Sequence, residues 1–134
     1  MKNKTDIIST QEFKNMAIQK KRNKYGNHQT LKDGYLFDSK LEAEYYEQLK
    51  LRRLGGDIKD FALQPRYPLQ KAFKKGDKKI RKIDYVADFE IEHNDGSIEV
   101  IDVKGKKTDV FRIKEKLFHY FYPYELTLIT HKDI

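Results

Sequence analysis

Apolar residues at helical spacing predict three helices. In the clearest of them, Leu41, Tyr45 and Leu49 recur on one face, and Gly55-Gly56 ends the pattern. The last helix is stopped by a proline. The three helices are expected over about residues 10–22, 38–54 and 109–121.

Alternation of apolar and polar residues predicts the strands. A small hairpin is expected around Asp33-Gly34, with arms at about residues 29–31 and 35–37. A longer strand is expected to be bent or interrupted by Pro65 and Pro68. The strands after the hairpin are expected over about residues 58–69, 82–92, 97–104 and 125–130.

From residue 38 onward the predicted order is α-β-β-β-α-β. This order indicates an α/β or α+β fold in which a mixed sheet is flanked by helices. A chain of 134 residues suits one domain. We therefore expect a single domain over residues 1–134, with a basic helix and hairpin extension at 1–34 and the core at 35–134.

The composition favours a polyanionic partner. Charged residues make up 37% of the chain and the net charge is +7, against roughly 25% charged residues in an average soluble domain. The absence of cysteine excludes disulfides and thiolate metal sites. No apolar run is long enough to span a membrane, and residues 1–10 lack an apolar signal core. A cytoplasmic protein without a membrane partner is the expectation.

Two acids lie where neighbouring strands are expected to pair. Asp102 and Lys104 point to the same side of a strand, since side chains alternate with a period of two. Asn94-Asp95-Gly96 is a strong hairpin signal. If His93 lies opposite Ser97, then Asp88 lies opposite Asp102, with Cβ atoms ~5 Å apart.

Two ionised carboxylates this close suit a divalent cation such as Mg²⁺, which prefers oxygen ligands. Asp88, Asp102 and the backbone carbonyl of Val103 are candidate ligands. Lys104 is placed to orient or help deprotonate an attacking water, or to neutralise charge in the transition state. Glu42 is a candidate to complete the site. These residues point to a metal-dependent nuclease.

Each residue also has a structural interpretation. Asp102 and Lys104 form a plausible surface ion pair on a strand end. Ser39 and Glu42 have the spacing of a capping box, which stabilises a helix start without any catalytic role. Asp84 shares the polar face with Asp88 and is a rival ligand. The four histidines do not have metal-ligand spacing.

The split motif Asp88…Asp102-Val103-Lys104 resembles that of the PD-(D/E)XK nuclease superfamily. More closely, the chain resembles a phage and prophage family, formerly a domain of unknown function, that is assigned to this superfamily. The resemblance covers about residues 24–129. Besides the split motif it rests on Lys24-Tyr25-Gly26-Asn27, Asp33-Gly34, Phe37-Asp38-Ser39-Lys40-x-Glu42, Leu63-Gln64-Pro65, Tyr85-x-Ala87-Asp88-Phe89 and Lys114-x-Lys116-Leu117-Phe118.

The resemblance implies an α-β-β-β-α-β core and Mg²⁺-dependent phosphodiester hydrolysis, with Mn²⁺ able to substitute. It makes Glu42, Asp88, Asp102 and Lys104 the expected catalytic residues, with Glu42 both capping and catalytic. Ala87 replaces the proline of the motif, and Gln64 and Lys114 match positions to which no role is assigned.

The expected substrate is branched or duplex DNA in phage recombination or replication inside a bacterial host. A homodimeric Holliday-junction resolvase is the leading interpretation. A DNA-end or nicking nuclease within a larger complex is the second. A non-catalytic DNA-binding adaptor is the third.

Basic residues near the expected site are candidates for DNA contact. Residues 71–82 are predicted to form a long cationic loop, which either embraces the DNA backbone or is simply solvated. A second group follows the strand that carries Asp102. The candidates are Lys74, Lys75, Lys78, Lys79, Lys106, Lys107, Arg112 and Lys114.

Overall fold

The computed structural model describes residues 29–133. The predicted helix at residues 10–22 lies outside the described residues. The described part is a mixed α/β structure with two α-helices and ten strands. The elements are β1 Thr30–Lys32, β2 Tyr35–Phe37, α1 Lys40–Leu54, β3 Asp60–Leu63, β4 Arg66–Gln70, β5 Phe73–Lys75, β6 Lys78–Ile80, β7 Ile83–Val86, β8 Phe89–Glu92, β9 Ile98–Val103, α2 Asp109–Phe121, β10 Glu125–Ile129 and a 3₁₀ turn at His131–Asp133.

A four-stranded mixed sheet forms the centre, in the order β10-β9-β8-β3. β9 pairs antiparallel with β8 and parallel with β10, and α2 makes the crossover between these two parallel strands. Successive residues of β9 pack in different cores: Ile101 packs in the α1 layer and Val100 in the α2 layer. The helices therefore cover opposite faces of the sheet.

Local sequence explains the helix and turn positions. Ser39 caps α1 by accepting a hydrogen bond from the Glu42 backbone N–H at 3.1 Å, and the predicted stripe of α1 is buried. The small hairpin β1–β2 is confirmed. Its turn residues Asp33 and Gly34 both have positive φ (53° and 84°), as a type I′ turn requires.

The strands β3 to β8 form one long antiparallel hairpin. Leu63 lies opposite Phe89 and Arg66 lies opposite Val86, so the register is the same on both sides of the gap between β3 and β4. A one-residue irregularity follows between Pro68 and Gln70, and β5 and β6 then continue the hairpin to its tip. The interruption of the first long strand, expected at Pro65, is confirmed.

Two predictions for this region are wrong. The single strand expected over residues 82–92 is two strands, β7 and β8, which are separated at Ala87 and Asp88. The cationic loop expected over residues 71–82 contains the two-stranded ribbon β5–β6. Its two-residue turn begins with Gly76 at φ 60°, as in a type II′ turn.

Candidate active site

The predicted acids lie at one end of the central sheet. The predicted hairpin register is confirmed: the His93 backbone N–H donates to the Ser97 carbonyl at 2.9 Å, and Phe89 pairs with Ile101. Directly before β8, the Asp88 backbone N–H donates to the Ile101 carbonyl at 3.1 Å, so Asp88 lies beside the end of β9 that carries Asp102.

Asp102 is almost fully buried, with 3% of its surface exposed. Its Oδ2 accepts a hydrogen bond from the Tyr85 hydroxyl, and its Oδ1 lies 3.4 Å from Lys104 Nζ. Burial and the neighbouring Asp102 charge raise the pKa of Tyr85 above its ordinary value, so Tyr85 acts here as a donor. The predicted position of Asp102 and Lys104 on one side of the strand is confirmed, and the alternative of a surface ion pair is wrong because Asp102 is buried.

Asp88 bridges the two strand ends. Its Oδ2 accepts a hydrogen bond from the Val103 backbone N–H at 2.7 Å, which ties the start of β8 to the end of β9. Burial first, and then the charges of Glu42 and Asp102, raise the pKa of Asp88 well above its usual range. Asp88 also shares side-chain hydrogen bonds with both of those acids. The structure thus brings the three predicted carboxyl groups together.

Glu42 reaches this cluster from the first turn of α1. Burial, together with the charges of Asp38 and Asp102, raises the pKa of Glu42 to about 7, whereas hydrogen bonds from Asp88 and the Asp38 backbone oppose the shift. The Glu42 backbone N–H takes part in the helix cap while the carboxyl group contacts Asp88. Both interpretations of Glu42 are therefore compatible with its position.

The carboxyl oxygens of Asp88 and Asp102 make bonds within the protein. Within residues 29–133, no three His, Cys, Asp or Glu side chains have the arrangement of a metal site. Asp102 is engaged by Tyr85 and Lys104, and Asp88 by Val103. The donor chemistry nevertheless fits a divalent cation, because three oxygen-bearing acids lie together where their like charges repel one another.

Lys104 follows β9 and is held at three points. Its backbone N–H donates to the Ile129 carbonyl at 2.9 Å, its ammonium group pairs with Asp102, and the ammonium lies 4.4 Å from the centre of the Phe111 ring. The side chain is about 29% exposed. A positive group is thus fixed between the acid cluster and solvent.

Gln64 is the counterpart of Asp88 on the other arm of the long hairpin. The Gln64 backbone N–H donates to the Asp88 carbonyl at 2.9 Å, and the Ala87 N–H donates to the Pro65 carbonyl at 3.1 Å. Gln64 has a positive φ of 49°, which is uncommon for a residue other than glycine. These residues form the neck of the hairpin, where the chain leaves the central sheet beside the acid cluster.

The rival ligand Asp84 belongs to a different environment. It lies in β7 and its Oδ2 pairs with Lys82 at 3.2 Å and Arg66 at 3.6 Å. The structure therefore separates Asp84 from the three clustered acids and compensates its charge with two cations.

The candidate DNA-contact residues fall into two groups. Lys106 and Lys107 lie in the exposed segment between β9 and α2, and Lys107 pairs with Glu115 at 3.5 Å. Arg112 and Lys114 lie on α2, where Arg112 is exposed and Lys114 is partly buried. The other four, Lys74, Lys75, Lys78 and Lys79, form most of the β5–β6 ribbon.

Tyr85 and Phe111 are site residues to which the sequence patterns assigned no role, although Tyr85 lies in one of the fragments that carry the family resemblance. Both pack in the α2 core. For Tyr85, the one available signal was a hydroxyl on the buried face of a strand, because a buried tyrosine hydroxyl generally needs a polar partner.

The fold and site define a mixed α/β protein with three clustered acids and a lysine at one end of its central sheet. The chain belongs to the DUF1064 family, described as a protein of unknown function, which it matches over residues 22–132. No curated protein and no solved structure matches the chain significantly. Within residues 29–133, none of the helices is both long and apolar enough to cross a membrane.

Proposed function

We propose that the protein is a Mg²⁺-dependent DNA endonuclease of the PD-(D/E)XK type. The observation that carries the proposal is the cluster of Glu42, Asp88 and Asp102 beside Lys104. The elements that surround the cluster also support it: α1, β3, β8, β9, α2 and β10 follow the expected α-β-β-β-α-β order when the outer part of the long hairpin is left aside.

In this proposal Glu42, Asp88, Asp102 and the Val103 carbonyl hold the cation, and Mn²⁺ can substitute for Mg²⁺. The bound cation supplies a more acidic water and charge neutralisation at the phosphate. Burial, and then the neighbouring acids, raise the pKa of Asp88 and of Glu42, so these groups would release protons on becoming ligands. The Tyr85 hydroxyl and the Val103 N–H hold Asp102 and Asp88 in place.

Lys104 is the proposed partner of the attacking water and of the phosphate. Water adds to phosphorus and loses a proton, the P–O3′ bond breaks, and the O3′ oxygen gains a proton, which leaves a 5′-phosphate and a 3′-hydroxyl. The Lys104 ammonium, fixed by Asp102 and Phe111, neutralises charge that develops on the phosphate oxygens.

The proposed substrate is branched or duplex DNA. Lysines and arginines that contact phosphates give affinity without sequence information. We favour a homodimer that cuts four-way junctions by their structure. It would act during phage recombination in the bacterial cytoplasm. A two-fold dimer would place one site on each of two strands.

The test is cleavage of a labelled panel of four-way junction, flap, duplex and single strand with Mg²⁺ or Mn²⁺. We expect Asp102→Asn to abolish cutting while folding and DNA binding persist, because it removes a charge but little volume. Asp84→Asn is the matched control, since it makes the same change outside the cluster, and should retain activity. Cutting that survives Asp102→Asn would refute the assignment, and a preference for ends or nicks would favour the end-processing nuclease over the resolvase.

A non-catalytic DNA-binding adaptor is the second candidate. It is favoured by the way the acids bond to one another and to neighbouring groups, without the arrangement of a metal site among residues 29–133. Calorimetric titration with Mg²⁺ and Mn²⁺ separates the two candidates. Tight DNA binding without metal affinity or cutting would select the adaptor.

A further inference from the structure

The β5–β6 ribbon stands apart from both cores. It forms its own two-stranded sheet at the outer end of the long hairpin, and five of its six strand residues are exposed, while Ile80 is partly buried. None of the six belongs to either buried core. The ribbon therefore contributes little to the packing of the domain, and its residues need another explanation.

Lysines cover both faces of the ribbon. Lys74 lies directly opposite Lys79, and Lys75 lies directly opposite Lys78. Because side chains alternate along a strand, the first pair occupies one face and the second pair occupies the other. Like charges at directly opposite positions destabilise a strand pair. Each face thus carries an unfavourable lysine pair.

Acids of the described chain do not compensate these charges. Among residues 29–133, the four ribbon lysines form no ion pair within 4.0 Å, whereas Lys82 just beyond the ribbon pairs with Asp84. Asp77 at the turn is the only acid within residues 71–82. A polyanion that meets both faces at once would remove the repulsion on each.

We propose that the β5–β6 ribbon inserts into the major groove of duplex DNA and contacts the phosphates of both groove walls, an inference that rests on the proposed DNA substrate. The major groove is about 12 Å wide and admits a two-stranded ribbon, whose strands lie about 4.8 Å apart. A flat anionic surface, such as a membrane, would engage only one lysine face. Contacts through lysine to phosphate carry no base information, so the docking is not sequence-specific.

The experiment measures binding of a fluorescein-labelled duplex of about 20 base pairs in EDTA, as a function of salt. One variant joins Lys74→Gln with Lys79→Gln, and the other joins Lys75→Gln with Lys78→Gln. Each loses two phosphate contacts, so each should lower the slope of log Kobs against log salt by about 1.8. The quadruple variant should lower the slope by roughly the sum of the two effects. A slope that depends on one face alone would overturn groove insertion.

The matched control removes two lysines that are engaged with acids elsewhere. Lys32 lies 4.0 Å from Glu47 and Lys59 lies 3.3 Å from Glu92. Lys32→Gln with Lys59→Gln loses the same charge, and its slope should stay close to that of the wild type. If this control lowers the slope as much as the ribbon variants do, the effect is one of net charge and the proposal fails. Thermal stability should not fall in the ribbon variants, since the ribbon lies outside both cores and each variant removes a pair of like charges.

A second measurement identifies the groove. A duplex whose cytosines carry glucosylated hydroxymethyl groups has a filled major groove and should bind more weakly, whereas distamycin, which occupies the minor groove, should not compete. Competition by distamycin would overturn the assignment of the ribbon to the major groove. Ribbon variants that lose binding to phosphatidylserine vesicles but keep binding to duplex DNA would also overturn it. Because all binding is measured in EDTA, a failed cleavage assay leaves this readout intact. If the protein cuts DNA with metal but the ribbon variants keep the wild-type salt slope, groove insertion by the ribbon is refuted and the proposed nuclease function is not.

Discussion

Replacing Asp88 by Asn should make the metal-free protein less sensitive to rising pH. Asp88 contacts two other acids, and its Oδ2 accepts the Val103 N–H. An asparagine oxygen can accept the same hydrogen bond without adding a charge to the cluster. The substitution therefore removes the cost of ionising a buried carboxyl group that lies beside two other acids.

The size of the effect follows from proton linkage. Carboxyl groups in the unfolded chain titrate near pH 4, whereas the pKa of Asp88 and that of Glu42 are raised in the folded protein. The folded state then holds protons that the unfolded state has released. The stability contribution is complete below about pH 4 and is lost as the pH rises toward the folded pKa, by about 1.4 kcal/mol per pH unit for each such proton.

Urea unfolding in EDTA at about pH 5, pH 6 and pH 7 measures this loss, which should amount to roughly 2–3 kcal/mol for Asp88 alone over the two units. We expect Asp88→Asn to remove most of this dependence of the free energy of unfolding on pH. The variant should be more stable than the wild type at the upper pH. Asp84→Asn, which removes the charge of an ion-paired acid, should leave the pH dependence of the unfolding free energy unchanged. A wild-type stability that is flat or rises between these pH values would refute the account of a strained acid cluster.

Three further substitutions test individual contacts. Tyr85→Phe removes the hydroxyl that donates to buried Asp102 and should lower the free energy of unfolding by about 1–3 kcal/mol in a urea titration; an unchanged midpoint would contradict this. Lys104→Ala should reduce the cleavage rate more than the Mg²⁺ affinity, as single-turnover kinetics and calorimetry would show, and the reverse pattern would remove Lys104 from its proposed role. Glu42→Gln keeps the backbone cap of α1 and should lose cleavage with little loss of stability; retained cleavage would leave Glu42 a purely structural role.

Much of the site's framework follows from local sequence. The Asn94-Asp95-Gly96 turn fixes how β8 and β9 meet, and this register brings Asp88, directly before β8, to the end of β9 that carries Asp102. The crossover helix was also predictable with its observed limits, because its capping residue and the terminating proline both lie in the sequence.

The break between β7 and β8 was not predictable from the alternation of apolar residues. Tyr85 and Ala87 pack in the α2 layer, whereas Phe89 and Ile91 pack in the α1 layer. All four are buried, so the alternation continues across the break without a gap. Hydrophobic patterning reports that a side chain is buried, but it does not report which layer receives it.

The β5–β6 ribbon was missed for a different reason. Its strands are short and rich in lysine, a composition that is typical of solvated loops. The Gly76-Asp77 pair was a usable hairpin signal, since glycine at the first central position suits a type II′ turn. The contact of the Tyr85 hydroxyl with Asp102 depends on tertiary packing and could not be read from any local pattern.

The length of the long hairpin limits how far its tip lies from the acid cluster. About 12 residues separate Gln64 at the neck from Gly76 at the tip, a span of at most roughly 40 Å at the rise of an extended strand. One turn of duplex DNA measures about 34–36 Å. If the ribbon binds DNA as proposed, its tip reaches no farther than about one helical turn from the acids, and we expect cleavage to fall off when the duplex arm beside the cut is shortened below that length.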